Sequence, residues 1–163
     1  MSDPRILLVS DNPILAAAVV RHRGNMAGLG AVQARNMEEA LTLLGEGGPR
    51  EFLLCVVDLD LPEVAVERLS ALAAARDTPW LAVADRYSAA NREKAEAADA
   101  IDFVVAGAED SEHVVGFVDR LVKNRFARIL VVEDSAFMRL FLRRQLRRYQ
   151  FRVHMAGGPE MAM

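Results

Sequence analysis

Phe52-Leu-Leu-Cys-Val-Val-Asp58-Leu-Asp60-Leu-Pro62 is the stretch that decides the fold of this 163-residue chain. Residues 52–57 are uninterruptedly apolar, which is how a strand covered on both faces reads, as opposed to the alternation of a strand with one wet face. The run closes on an acid, and Pro62 then prevents it from continuing. The Asp58 carboxylate is thus placed at the carboxyl end of a buried strand, where open α/β sheets keep their chemistry. A second apolar run, Ile6-Leu-Leu-Val9, ends in Ser10-Asp11. Two strands can therefore bring Asp11 and Asp58 to one rim, a pairing suited to a divalent cation.

Strand and helix signals alternate on either side of these runs, which predicts a mostly parallel sheet with helices on both faces. Arg5 to Ser10 is the first strand. Pro13 opens a helix over Ile14 to Arg23 that Gly24 and Asn25 end. A weaker strand lies near Ala31 to Ala34. Asn36 with Glu39 three residues on is a capping-box arrangement, and that helix closes at Gly45, Gly47, Gly48 and Pro49. After Pro62 come an alanine-rich helix to Ala75, a turn at Asp77-Thr-Pro79, and a strand from Trp80 to Ala84. Ser88 caps a polar, weakly amphipathic helix, Ala89 to Ala98, expected to be the least firmly packed. The fifth strand is Ile101 to Val105, and Glu109-Asp110-Ser111 leads a last helix to Asn124, its acids suited to the positive end of the helix dipole.

The apolar run of the first strand then recurs as Ile129-Leu-Val-Val132 followed by Glu133-Asp134, a second acidic pair. A helix and a strand, Phe151 to Ala156, follow it. The chain is long enough for one ordinary domain and too short for two, so the expected organisation is one domain plus the opening of another.

Composition excludes several classes. Apolar residues at 52% and charged residues at 26% describe a globular chain, not a disordered or collagen-like one. No apolar run approaches the roughly 18 residues of a spanning helix, and the first residues lead into a strand rather than a signal peptide, so a cytoplasmic, membrane-free protein is expected. Net charge is −3, with −7 over residues 1–127 and +4 over residues 128–163. Most of that positive charge lies on Arg139, Arg143, Arg144, Arg147 and Arg148 at helical spacing, a solvated face opposite a core face. The acidic majority would oppose a phosphate backbone, so no nucleic acid is expected at this fragment. Cys55 sits inside the apolar run and reads as a small buried hydrophobe. His22, His113 and His154 have no metal-binding spacing, and no catalytic triad is readable.

Residues 4–126 resemble the receiver domain of bacterial response regulators. The resemblance rests on Ile6-Leu-Leu-Val-Ser-Asp-Asn12, Asp58-Leu-Asp-Leu-Pro62, Pro79 to Ala84 and Asp102-Phe-Val-Val105. It implies a (βα)5 doubly wound parallel sheet of flavodoxin-like type, strand order 2-1-3-4-5, over residues 1–126. Residues 127–163 resemble a truncated β-α-β start of a second receiver in tandem, with Glu133 and Asp134 as its acidic pair. The resemblance further implies that a histidine kinase or phosphotransferase protein donates phosphoryl to Asp58. Mg²⁺ would be held by Asp11, Asp58 and the backbone carbonyl of Asp60, and an adjacent receiver or output domain, such as a diguanylate cyclase, would read the state. The fragment 127–163 would pack on the first domain, pair with a second copy in a homodimer, or be partly disordered.

The chain departs from the family at the positions that read a phosphate. Ala84 replaces the Thr or Ser that ends strand four, Ala106 replaces the lysine after strand five, and Gly107 stands where a proline usually follows. Ser10 takes the place of one strand-one acid, and Val66 occupies a position where glycine is preferred. Phe103 is retained at the position of the aromatic rotamer switch and is equally good core. A missing ammonium removes a charge-assisted bond of about 1.5 to 3 kcal/mol. Two readings follow: a receiver phosphorylated on Asp58, and a phosphorylation-independent pseudo-receiver that serves as a dimerisation or docking module. Neither has catalytic residues of its own. A more remote reading is a haloacid dehalogenase-type phosphatase, because Asp58-Leu-Asp60 echoes its Asp-x-Asp pair, but Pro62 and the third-strand placement oppose it. A dinucleotide site is opposed by Gly28-Leu-Gly30 preceding a strand rather than a helix.

Overall fold

A computed structural model of the chain describes residues 5–23, 29–49, 51–62, 65–106 and 112–161. The helix stop at Gly24 and Asn25, Gly28, Gly107, and the Glu109-Asp110-Ser111 lead-in lie outside the described residues. The elements run β1 (Arg5–Val9), α1 (Pro13–Arg23), β2 (Gly30–Ala34), α2 (Met37–Glu46), β3 (Phe52–Asp58), α3 (Val66–Ala75), β4 (Trp80–Ala84), α4 (Ala89–Ala97), β5 (Phe103–Val105), α5 (Glu112–Asn124), β6 (Arg128–Val132), α6 (Ala136–Arg148) and β7 (Arg152–Ala156). The chain forms two compact units, residues 1–116 and 117–163, and the division falls within α5.

In the first unit, five parallel strands pair in the order β2-β1-β3-β4-β5, the order the family resemblance implied. β3 lies in the middle, and every one of its residues is buried, which is why its sequence needs no polar alternation. The core gathers Leu7 and Val9 of β1, Cys55 and Val57 of β3, Trp80 and Ala82 of β4, and Ala40, Leu44, Val66 and Leu69 of two helices.

Local chemistry fixes the helix ends. Asn36 Oδ1 accepts from Glu39 N at 2.9 Å, and Glu39 Oε2 returns a bond to Arg35 N at 2.9 Å. The box therefore closes one residue before the cap. Gly45 lies inside the last turn of α2, and the helix ends at the Gly47 cap. Ser88 Oγ caps α4 by accepting from Asn91 N at 3.3 Å, and Ala95 is the buried residue on that polar helix, whereas α6 has none. Helices α3 and α4 stop without glycine. Asp77 and Asp99 take left-handed φ of 53° and 58° just past the caps, and Thr78 N and Ala100 N then reach back to the carbonyls of Ala73 and Ala95 at 2.9 Å. Asp tolerates this region better than most side chains because its short polar group can bond locally. The fifth strand is shorter than its apolar pattern: Ile101 and Asp102 spend their backbone groups on Trp80 O and Ala82 N before β5 begins.

The second unit repeats the geometry of the chain's opening. β6 pairs β7 in parallel from Arg128↔Arg152 to Val132↔Ala156, as β1 pairs β2 from Arg5↔Gly30 to Val9↔Ala34. Glu133 N donates to Ala156 O at 3.1 Å, matching Ser10 N to Ala34 O at 3.0 Å. Ser135 caps α6 through Met138 N, as Asn12 caps α1 through Leu15 N. The covering differs. Leu7 and Val9 are fully buried between two strands, whereas their counterparts Leu130 and Val132 are 51% and 47% exposed, with Phe137, Leu140 and Phe141 of α6 also exposed. No helix among the described residues is long and apolar enough to cross a membrane.

This contrast predicts unequal costs for the same truncation. Leu7→Ala should cost about 2–5 kcal/mol, because it leaves a cavity in a packed core, and Leu130→Ala less than about 1 kcal/mol. Urea unfolding at unchanged slope measures both; equal losses would contradict the difference in covering.

Candidate functional site

The sheet's carboxyl rim is built by register. Val9 pairs Val57, and Asp58 pairs Val83, so the residues just past β1, the last residue of β3 and the end of β4 stand side by side. The strand-one and strand-three acids do share one end of the sheet. Asp58 is 7% exposed, and Ser10 beside it is fully buried.

Ser10 is held on every side. Its N–H donates to Ala34 O, its carbonyl accepts from Gln33 Nε2 at 2.9 Å, and its hydroxyl oxygen accepts from Asn12 N at 3.0 Å. That leaves the single hydroxyl proton, which goes to Asp58 Oδ2 at 2.7 Å. The other oxygen of Asp58, Oδ1, accepts from Asp60 N at 3.0 Å. Both carboxylate oxygens thus already have protein donors. Burial pushes the Asp58 carboxyl above its ordinary range, opposed by the Ser10 and Asp60 bonds and reinforced by the negative charges of Asp60 and Asp85.

The remaining sequence-predicted positions fall as follows. Asp11 is exposed at the rim. Asp60 is exposed, and its side chain accepts from Asp85 N at 2.6 Å. Ala84 and Ala106 are both buried and joined by a backbone bond, Ala106 N to Ala84 O at 2.9 Å. Neither side chain carries a hydroxyl or an ammonium that could meet an anion. Phe103 is half-buried on β5, with its ring edge-on to Tyr87 at 6.4 Å and 71°. Val66 is buried as the first residue of α3. In the second unit Glu133 Oε1 accepts from Ser135 N at 3.0 Å, Asp134 is exposed, and Arg139 Nη1 donates to the carbonyls of Glu133 and Asp134 at 2.7 and 2.8 Å. Cys55 is fully buried with its thiol pushed far up by burial, so it is inert.

Sequence reading treated Ser10 only as a lost acid and passed over Asp85. A short hydroxyl next to a buried carboxylate in register, and an acid directly after strand four, were the available signals.

The donor set fits Mg²⁺ poorly. The ion takes an octahedron of oxygens and gains most from carboxylates, yet here one rim acid is a serine whose proton points at Asp58. Among the described residues no group of three or more His, Cys, Asp or Glu side chains gathers as a metal site.

No protein-family model matches the chain, and no curated protein matches it. Solved structures do. Two described as two-component system response regulator/GGDEF domain proteins match 98% of this chain at 26% and 25% identity, with TM-scores of 0.73 and 0.72. The chain spans 64% of the length of each. A response regulator from Burkholderia pseudomallei, described with a phosphorylated aspartic acid, a calcium ion and citrate, matches 78% of this chain at 22% identity and a TM-score of 0.54.

Asp58→Asn leaves one acceptor where the carboxylate has two, so either the Ser10 hydroxyl or the Asp60 amide loses its partner. That loss is the same at every pH. A carboxyl held above its unfolded value stabilises the fold below the ordinary carboxylate range and loses that contribution as pH rises through its folded value. The stability of Asp58→Asn relative to wild type should therefore fall as pH drops into that range. Denaturation midpoints across pH check this; a relative stability of the variant that rises toward acid would contradict it.

Proposed function

We propose that this chain, which contains a response regulator receiver domain, works in signal transduction as a phosphorylation-independent receiver, passing on its state by docking rather than by an aspartyl phosphate. The observation that carries the reading is the Ser10–Asp58 hydrogen bond of 2.7 Å. A phosphoryl acceptor needs a cation to neutralise the incoming oxygens and groups to read the product. Here the Ser10 proton answers the Asp58 carboxylate where a cation would, the rim lacks one acid, and Ala84 and Ala106 offer nothing to a phosphate. The receiver itself performs no catalysis, so its partners are protein surfaces: an adjacent receiver, an output domain or a second copy.

Residues 127–163 are assigned to the opening of a second receiver in tandem, following a first that covers residues 1–126. The support is the repeated register and capping of β6-α6-β7 and the match of the two GGDEF-containing proteins along 98% of this chain. A GGDEF output domain, as those proteins' descriptions name, is the output to seek. The exposed apolar residues of β6 and α6 are then a surface that partner structure covers.

A second reading is favoured by one observation: Asp58 is retained at the rim with Asp11 at the same end of the sheet. In that reading a histidine kinase or phosphotransferase phosphorylates Asp58, and a divalent cation assists, as calcium accompanies the phosphorylated aspartate in the Burkholderia structure.

Incubation with Mg²⁺ and acetyl phosphate followed by intact mass distinguishes the two. The docking reading expects no added mass. A gain of one phosphoryl that disappears in Asp58→Asn would overturn it.

A further inference from the structure

The carboxylate of Asp60 is not needed by anything so far assigned to this rim, yet it makes one of the shortest hydrogen bonds there. It lies two residues past the end of β3, and its Oδ2 crosses to the end of β4, where it accepts from the backbone N–H of Asp85 at 2.6 Å. An ionised acceptor makes this bond shorter and roughly twice as strong as a neutral pair. The carboxylate is itself fixed, because Asp60 N donates to Asp58 Oδ1 and the next amide back, Leu59 N, donates to Val83 O at 2.8 Å. The Asp58 loop and the end of β4 are thereby tied twice, once by backbone and once by a charged side chain.

The tied segment runs Asp85-Arg86-Tyr87-Ser88, and its last residue caps α4 through Asn91 N. Tyr87, although 62% exposed, sets its ring against the edge of Phe103 on β5. Beside that contact lies a cavity of about 380 Å³ lined by Tyr87, Arg92, Glu96, Asp102, Phe103 and Val105. Arg92 Nε donates to Glu96 Oε1 at 2.8 Å along one of its walls. Asp85 N thus stands at the head of the short segment that carries Tyr87 and enters α4.

We propose that the Asp60 carboxylate is a built-in anion that pins the Asp85–Ser88 loop, holding the Tyr87–Phe103 contact and the cavity beside it in one arrangement whatever the state of Asp58. The inference rests on the phosphorylation-independent reading, since it supplies what such a receiver lacks: a negative group at the β4 amide that no donor protein has to deliver. Asp60 is a positioning residue that acts through a backbone amide. With Ala84 contributing no hydroxyl, this amide is the contact through which the end of β4 answers to an anion at the Asp58 loop.

Hydrogen exchange followed by mass spectrometry on the full chain tests the pin. Asp60→Ala should speed exchange of segments spanning residues 84–88 by at least about tenfold. Segments of β1 and β2 should keep wild-type rates, which separates a local release from general loosening. Asp60→Asn, which retains an uncharged oxygen acceptor, should recover most of the protection. Wild-type rates over residues 84–88 in Asp60→Ala would overturn the proposal, as would equal acceleration in β1 and β2. Phosphoryl gain by the wild type would sink the docking reading alone, and leave the exchange result to stand or fall separately.

Discussion

A buried carboxylate has to be answered, and the answer given to Asp58 organises the whole rim. Leaving a charged group dry without donors costs several kcal/mol. Here the donors come from the chain itself: the Ser10 hydroxyl at 2.7 Å and the Asp60 amide at 3.0 Å. For Ser10 to serve, β1 has to lie directly beside β3 and end one residue before the acid does, which the Val9↔Val57 register provides. Its hydroxyl must also be spared other duties, and it is, because Asn12 N takes the oxygen lone pair and leaves the proton for Asp58. Burial pushes the Asp58 carboxyl above its ordinary range, and these two bonds oppose that push.

An acid at position 10 would face Asp58 with a like charge and would call for a cation between the two. A hydroxyl supplies a proton in place of the cation. The same logic runs through Ala84 and Ala106, which pack as ordinary small core residues and complete the wall. Asp60 then carries its negative charge at the edge, met by the backbone amide of Asp85 instead of an ammonium.

The sheet was largely legible in the sequence because its signals are local and redundant. The wholly apolar 52–57 run placed the central strand, and the acids closing the runs placed the rim. Asn36 and Ser88 announced their helices, and the recurrence at Ile129 announced the second β-α-β. What the sequence did not carry were features that depend on what lies across the sheet. Ile101 and Asp102 look like strand residues but use their backbone groups to approach β4 before pairing starts. Asp77 and Asp99 end helices in the left-handed region where glycine is the usual signal. The site was half legible. That Asp58 stands at the rim follows from its own run, but that Ser10 donates to it and that Asp60 reaches Asp85 needs the register of three strands at once. The second unit was legible as a repeat of the first two strands and the helix between them, with Leu130, Val132, Phe137, Leu140 and Phe141 left exposed.

The central claim is that the Ser10 proton, and not a cation, answers the Asp58 carboxylate at this rim. Following the backbone amide resonances of Asp11, Asp58 and Asp60 while Mg²⁺ is raised into the millimolar range tests it most directly. The account predicts that these resonances move no more than those of residues remote from the rim; a saturable displacement confined to them would contradict it.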